Sequence, residues 1–101
     1  MIKLQITSDN DNIVPIIKSA ILARLKRIEI GLQKTKQEIK QFESKYQTSS
    51  EQFLKSYTAE DLKGGDDEYI SWMGEIKLKE SIIEELEALR NIEYVNQRLP
   101  I

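Results

Sequence analysis

The sequence contains no cysteine and no histidine. Without cysteine there are no disulfides, no zinc–thiolate sites and no thiol nucleophile. Without histidine a Ser-His-Asp arrangement is excluded, and so is the Glu-x-x-His di-iron signature of helical bundles. Glycine (4) and proline (2) are scarce, so the chain has few places to turn and calls for long elements joined by few loops. Long apolar runs are also missing. The most apolar stretch, Ile13 to Leu25, is interrupted by Lys18 and Arg24 and falls short of the ~20 residues that a membrane span needs. The start, MIKLQITSDNDN, has neither the apolar core nor the cleavage site of a signal peptide, so a cytoplasmic location with no membrane association is expected. The phosphate-cradling and dinucleotide glycine patterns are absent as well.

What is present is charge and helical periodicity. Charged residues make up 32% of the 101 positions and hydrophobic ones 40%, a balance suited to elongated amphipathic helices in one small domain. Ile17, Ile21, Leu25, Ile28, Leu32, Thr35, Ile39, Phe42 and Tyr46 form one series with spacings of 4, 4, 3, 4, 3, 4, 3 and 4. That is the rhythm of a packed helix seam. Ahead of it, Asn12 stands two residues before Val14-Pro15, a helix start in which the proline occupies the first turn. Thr48-Ser49-Ser50-Glu51 reads as a stop followed by a new N-cap, and the short helix beyond it carries Phe53, Leu54 and Tyr57 on one apolar face. Lys63-Gly64-Gly65-Asp66-Asp67 reads as a glycine stop running into capping aspartates. A last helix is expected from there to about Glu93, with Tyr69, Trp72, Met73, Ile76, Ile83, Leu86 and Leu89 inward and Leu78, Ile82 and Ile92 widening the stripe.

Charge is distributed unevenly along the chain. Residues 18–46 hold eight basic and three acidic side chains, whereas residues 66–93 hold three basic and nine acidic. Opposite-sign flanks favour antiparallel pairing of the two long helices. The expected fold is therefore all-α: a helical hairpin over residues 13–96 with a short connecting helix, dimerising into a four-helix bundle, and a tail at 97–101. Residues 1–12 form an extended segment. Within it Ile2, Leu4 and Ile6 alternate with polar residues as in a strand, and this strand is expected to pair with a second copy, join a partner's sheet or stay a loose tail. The dimer or hairpin seam comprises Ile17, Ile21, Leu25, Ile28, Leu32, Ile39, Phe42, Ile76, Ile83, Leu86 and Leu89.

Candidate chemistry is sparse. Glu80, Glu84 and Glu87 share a helix face and Asp66, Asp67 and Glu68 cluster at a helix start, but neither group has the alternating spacing of a calcium loop, and a solvated face or helix-dipole pairing is the plainer reading. Gly64-Gly65-Asp66-Asp67-Glu68 matches the signature of cyclic-dinucleotide cyclases in letters only, since a short helical chain cannot supply their α/β domain. No catalytic residue, metal or cofactor is expected. The aromatic group Phe42, Tyr46, Phe53, Tyr57, Tyr69 and Trp72 reads first as core where three helices meet and second as a patch that a partner covers.

Phe42-Glu43-Ser44-Lys45-Tyr46, Ser49-Ser50-Glu51-Gln52-Phe53-Leu54 and Asp66-Asp67-Glu68-Tyr69-Ile70-Ser71-Trp72 follow one another in an order that resembles a pattern of small helical proteins in cyanobacteria and archaea. These carry F-E-x-K-Y, S-S-E-x-F-L, an acidic turn and D-Y-x-x-W, and many resemble the antitoxin-like partner of a small toxin. The resemblance covers about residues 42–76; Gln47 stands where the pattern has glycine, and the turn is longer. It transfers no catalytic residue. It implies a pairing module that binds and neutralises a partner protein. The candidate contact residues are Ile2, Leu4, Ile6, Phe53, Leu54, Tyr57, Tyr69 and Trp72. A structural homo-oligomeric coiled-coil scaffold is the alternative, and an accessory nucleic-acid binder ranks behind both, because the acidic helix would consume the basic stripe of the first.

Overall fold

The computed structural model describes residues 1–98. The order of elements is β1 (Ile2–Ser8), α1 (Ile13–Tyr46), α2 (Ser50–Ser56), a 3-10 turn (Ala59–Asp61), α3 (Gly65–Arg90) and β2 (Ile92–Arg98). The chain is mainly helical, as its periodicity requires, but it is not all-α. The described residues fall into two compact units, one built from residues 1–30 and 84–98, the other from residues 31–83.

In the first unit β1 and β2 form a two-stranded parallel sheet, with Ile2 opposite Ile92, Leu4 opposite Tyr94 and Ile6 opposite Asn96. This corrects two expectations. The N-terminal strand does have a partner in its own chain, and the last helix ends at Arg90 rather than near Glu93. Asn91 makes the change of direction: its side-chain amide donates to the Glu87 carbonyl at 2.7 Å, closing the helix, while its own carbonyl accepts from Ile2 N–H at 2.9 Å, opening the sheet. Ile92 therefore belongs to a strand and not to the helix stripe. Gln97 and Arg98, expected in the tail, complete β2, while residues 99–101, including Pro100, lie outside the described residues.

Helix α1 starts where its caps dictate. The Asn10 side chain accepts from Asn12 N–H at 2.9 Å, and Ile13 N–H reaches the Asn10 carbonyl at 3.2 Å. Within the first unit Ile28 and Leu86 are buried and Ile17, Ile21, Leu25 and Leu89 half-buried. Arg24 forms a two-pronged pair with Glu85 at 2.7 and 3.0 Å, and Arg90 meets Glu29 at 2.8 Å. These ion pairs join the basic and acidic helices as their opposite charges suggest. Being exposed to water and screened by it, each adds little to stability.

In the second unit the partners of α1 run backwards along α3: Phe42 stacks on Trp72, and Tyr46 and Lys45 reach Glu68. The helices are antiparallel there. Leu32, Thr35, Ile39, Phe53, Leu62, Trp72 and Ile76 are buried in this unit.

Candidate functional site

The aromatic group lies entirely within the second unit, and the geometry assigns its members different roles. Trp72 and Phe53 are both 0% exposed and stack face to face, with centroids 3.9 Å apart and planes 4° from parallel. Phe42 and Tyr46 also stack on Trp72, with centroids at 5.5 and 5.8 Å, while Tyr69 and Tyr57 tilt against Phe53 at 5.2 and 6.1 Å. Of the candidate contacts proposed from the sequence, Phe53 and Trp72 are thus closed to any partner, Tyr57 and Tyr69 offer partial surfaces, and Leu54 is exposed.

Around this stack Glu43, Lys45, Tyr46, Ser49, Ser50 and Glu68 each have a structural task. Helix α1 ends with Gln47 at φ 50°, in the left-handed region, and Thr48 N–H reaches back to the Glu43 carbonyl at 3.1 Å. This is the turn that glycine usually closes. The Glu43 carboxylate then accepts the Ser50 N–H at 2.8 Å, and Ser49 caps α2 by accepting Gln52 N–H at 3.1 Å. Ser50 Oγ accepts the Trp72 indole N–H at 2.9 Å, so the buried ring has no unsatisfied donor. The Glu68 carboxylate receives Lys45 Nζ at 2.6 Å and Tyr46 O–H at 2.8 Å, and the Tyr46 oxygen in turn accepts Lys63 N–H at 3.1 Å. The Lys45 hydrogen bond, followed by that from Tyr46, holds the Glu68 carboxyl below its ordinary value, and the same contact raises Lys45.

The two glycines before α3 belong to this arrangement. Gly65 turns at φ 62°, and Gly64 has no side chain where the Glu68 carboxylate lies over it. Gly64-Gly65-Asp66-Asp67-Glu68 is therefore a tight helix entry, with Glu68 directed to Lys45 and Tyr46 and no substrate geometry around it.

A cleft of about 370 Å³ in the same unit is lined by Lys36, Lys40, Lys79, Glu43, Glu80 and Ile39, among others. Its Glu43 is already committed to the start of α2. Among the described residues no three carboxylates gather as a metal site would require, and no helix is long and apolar enough to cross a membrane.

Large apolar side chains also stand in water. Ile16, Leu22 and Ile30 on α1 are 58, 59 and 73% exposed, and Ile16, Ala23 and Ile30 are one heptad apart, on one face. Leu54, Ile70 and Leu78 are exposed in the second unit. In the sheet, Ile2 is exposed and Leu4 and Ile6 are half-buried beside Ile92 and Tyr94. Lys18 Nζ sits 5.1 Å from the centre of the Tyr94 ring, and Arg98 reaches Asp11 at 3.5 Å. Periodicity alone missed β2, although Ile92-Glu93-Tyr94-Val95, three β-branched or aromatic residues directly after a helix-ending Asn91, was the available signal.

Comparison with protein-family models, with curated proteins and with solved structures gave no match.

Proposed function

We propose that this chain is a non-catalytic interaction module, an antitoxin-like component that binds a small toxin-like protein and neutralises it by covering its working surface. The observation that carries the reading is the exposed face of α1, where Ile16, Ala23 and Ile30 line up beside Arg27. An apolar helix face rimmed by charge is a form of surface that a partner protein covers. The reading places the protein in the cytoplasm, where a chain without cysteine needs no oxidising environment.

Co-expression with the short reading frame next to its gene is the direct test. The neighbour alone should arrest growth, the pair should not, and the two proteins should copurify. Ile16→Asp with Ile30→Asp should abolish copurification while the helical circular dichroism signal stays unchanged. Relief of arrest that survives this double variant would remove α1 as the contact face, and absence of any relief or copurification would remove the antitoxin reading. The alternative is a homo-oligomeric scaffold in which a second copy covers the same face and closes a four-helix bundle. It predicts a stable assembly of this chain alone that loses its stability with Ile16→Asp and Ile30→Asp.

A further inference from the structure

Strand β1 has two edges and pairs along one. The bond from Ile2 N–H to the Asn91 carbonyl sets the phase of the parallel ladder. Ile2, Leu4, Ile6 and Ser8 turn their peptide groups toward β2, and Lys3, Gln5 and Thr7 turn theirs away. Those three residues are exposed, and among the described residues no backbone group meets their N–H and C=O groups. Little blunts this edge: Ile2–Ser8 contains no proline, and its one charge is Lys3 near the start of the strand. A two-stranded sheet is also marginal by itself. On the outer edge of β2, by contrast, Ile92 and Tyr94 are half-buried, and Lys18 lies over the Tyr94 ring.

We infer that a second copy of this chain adds along the outer edge of β1, antiparallel, about a two-fold axis through Gln5, to make a four-stranded sheet. The strand is self-complementary in that register. Gln5 faces Gln5 of the second copy, Lys3 faces Thr7, and Leu4 faces Ile6. Outward-turned residues then meet only outward-turned residues, and each such pair exchanges two N–H···O bonds, about six in all. Sliding the register by one residue sets outward groups against inward ones, and sliding it by two moves a pair off the end of the strand. The two lysines never face each other, which a two-fold pairing must avoid. Leu4 and Ile6 stay on the face they share with Tyr94, so the apolar face continues across the new seam. This self-association is independent of any toxin-like partner.

Because the chain has no cysteine, single-cysteine variants report the register. Gln5→Cys should form a disulfide-linked dimer under mild oxidation, since Cα atoms in a hydrogen-bonded antiparallel pair are about 5.5 Å apart, within disulfide range. Lys3→Cys and Thr7→Cys should each stay uncrosslinked alone, because their copies are about 13 Å apart. Mixed together, they should link to each other. In the unmodified background Gln5→Pro removes an N–H that the β1–β2 ladder does not use, so helicity should be retained while the dimer dissociation constant rises about tenfold or more. If Gln5→Pro fails to fold, the cysteine set still decides. Gln5→Cys crosslinking no faster than Lys3→Cys overturns the register, and a chain that sediments as a monomer at every concentration overturns the dimer. Loss of partner copurification with the dimer intact would count against the proposed function alone.

Discussion

Ser50→Ala isolates one hydrogen bond on which the second unit depends. Trp72 is fully enclosed, so its indole N–H has no access to water, and Ser50 Oγ at 2.9 Å is its acceptor. Removing the hydroxyl leaves a buried donor unpaired, at a cost of about 1–3 kcal/mol. For a domain of this size that is a fall in melting temperature of roughly 4 °C or more. Ser50 is also the first residue of α2, but the cap hydroxyl belongs to Ser49, so alanine at position 50 does not weaken the helix start. The second half of the cycle is Trp72→Phe. It costs packing, and it also removes the donor, so adding Ser50→Ala in that background should cost close to nothing. The expected coupling is therefore about 1–3 kcal/mol. Urea unfolding followed by helical circular dichroism serves all four proteins, because the phenylalanine variant lacks the only tryptophan. An equal cost of Ser50→Ala in both backgrounds would show that the hydroxyl acts on α2 and not on Trp72.

Three other outcomes follow from the same geometry. The Glu68 carboxyl, lowered chiefly by Lys45, and the Glu85 carboxyl, lowered by Arg24, add stability above the ordinary carboxylate value that is lost as pH falls through their depressed folded values; Glu68→Gln should flatten part of that acid limb in urea midpoints taken across pH. Ile28→Asp, at a site 7% exposed, should cost about 3–5 kcal/mol, while Ile30→Asp, at a site 73% exposed, should stay within about 0.5 kcal/mol by thermal melting. Gln47→Gly should raise the melting temperature, because relief of a left-handed non-glycine residue, about 1–2 kcal/mol, exceeds the added chain entropy of glycine, about 0.5–1 kcal/mol.

Helix α1 was legible in the sequence because three independent signals agree on it: the spacing from Ile17 to Tyr46, the asparagine-rich cap, and the serine stop. The Gly64-Gly65 turn and a cap at Ser49 or Ser50 were legible as well, and the geometry assigns that cap to Ser49. Strand β2 was not legible for a physical reason. Ile92 fits the apolar stripe of α3 and also fits the alternation that follows, and periodicity cannot assign a residue standing where two periods overlap. Its pairing with β1 joins segments ninety residues apart, from Ile2 to Ile92, and periodicity identifies elements without identifying their partners. The aromatic group shows the same limit at side-chain scale. Helical spacing put Phe53 and Leu54 on one apolar face, yet Phe53 is enclosed beneath Trp72 and Leu54 is left in water.

The roles of the side chains between residues 42 and 72 bear on where function should be sought. Phe42, Phe53, Tyr69 and Trp72 build the stack; Glu43, Ser49 and Ser50 connect α1 to α2 and anchor the indole; Lys45, Tyr46 and Glu68 tie α1 to α3. These side chains are satisfied by one another, which leaves them little with which to recognise a second molecule. Specificity then belongs to surfaces outside this segment: the Ile16, Ala23 and Ile30 face of α1, and the outer edge of β1 at Lys3, Gln5 and Thr7. Leu54→Asp, at an exposed apolar residue of this segment, should therefore preserve both self-association and partner choice. If Leu54→Asp abolished partner choice, the contact would have to lie on the remaining exposed surface of the second unit, with Leu54 at its centre.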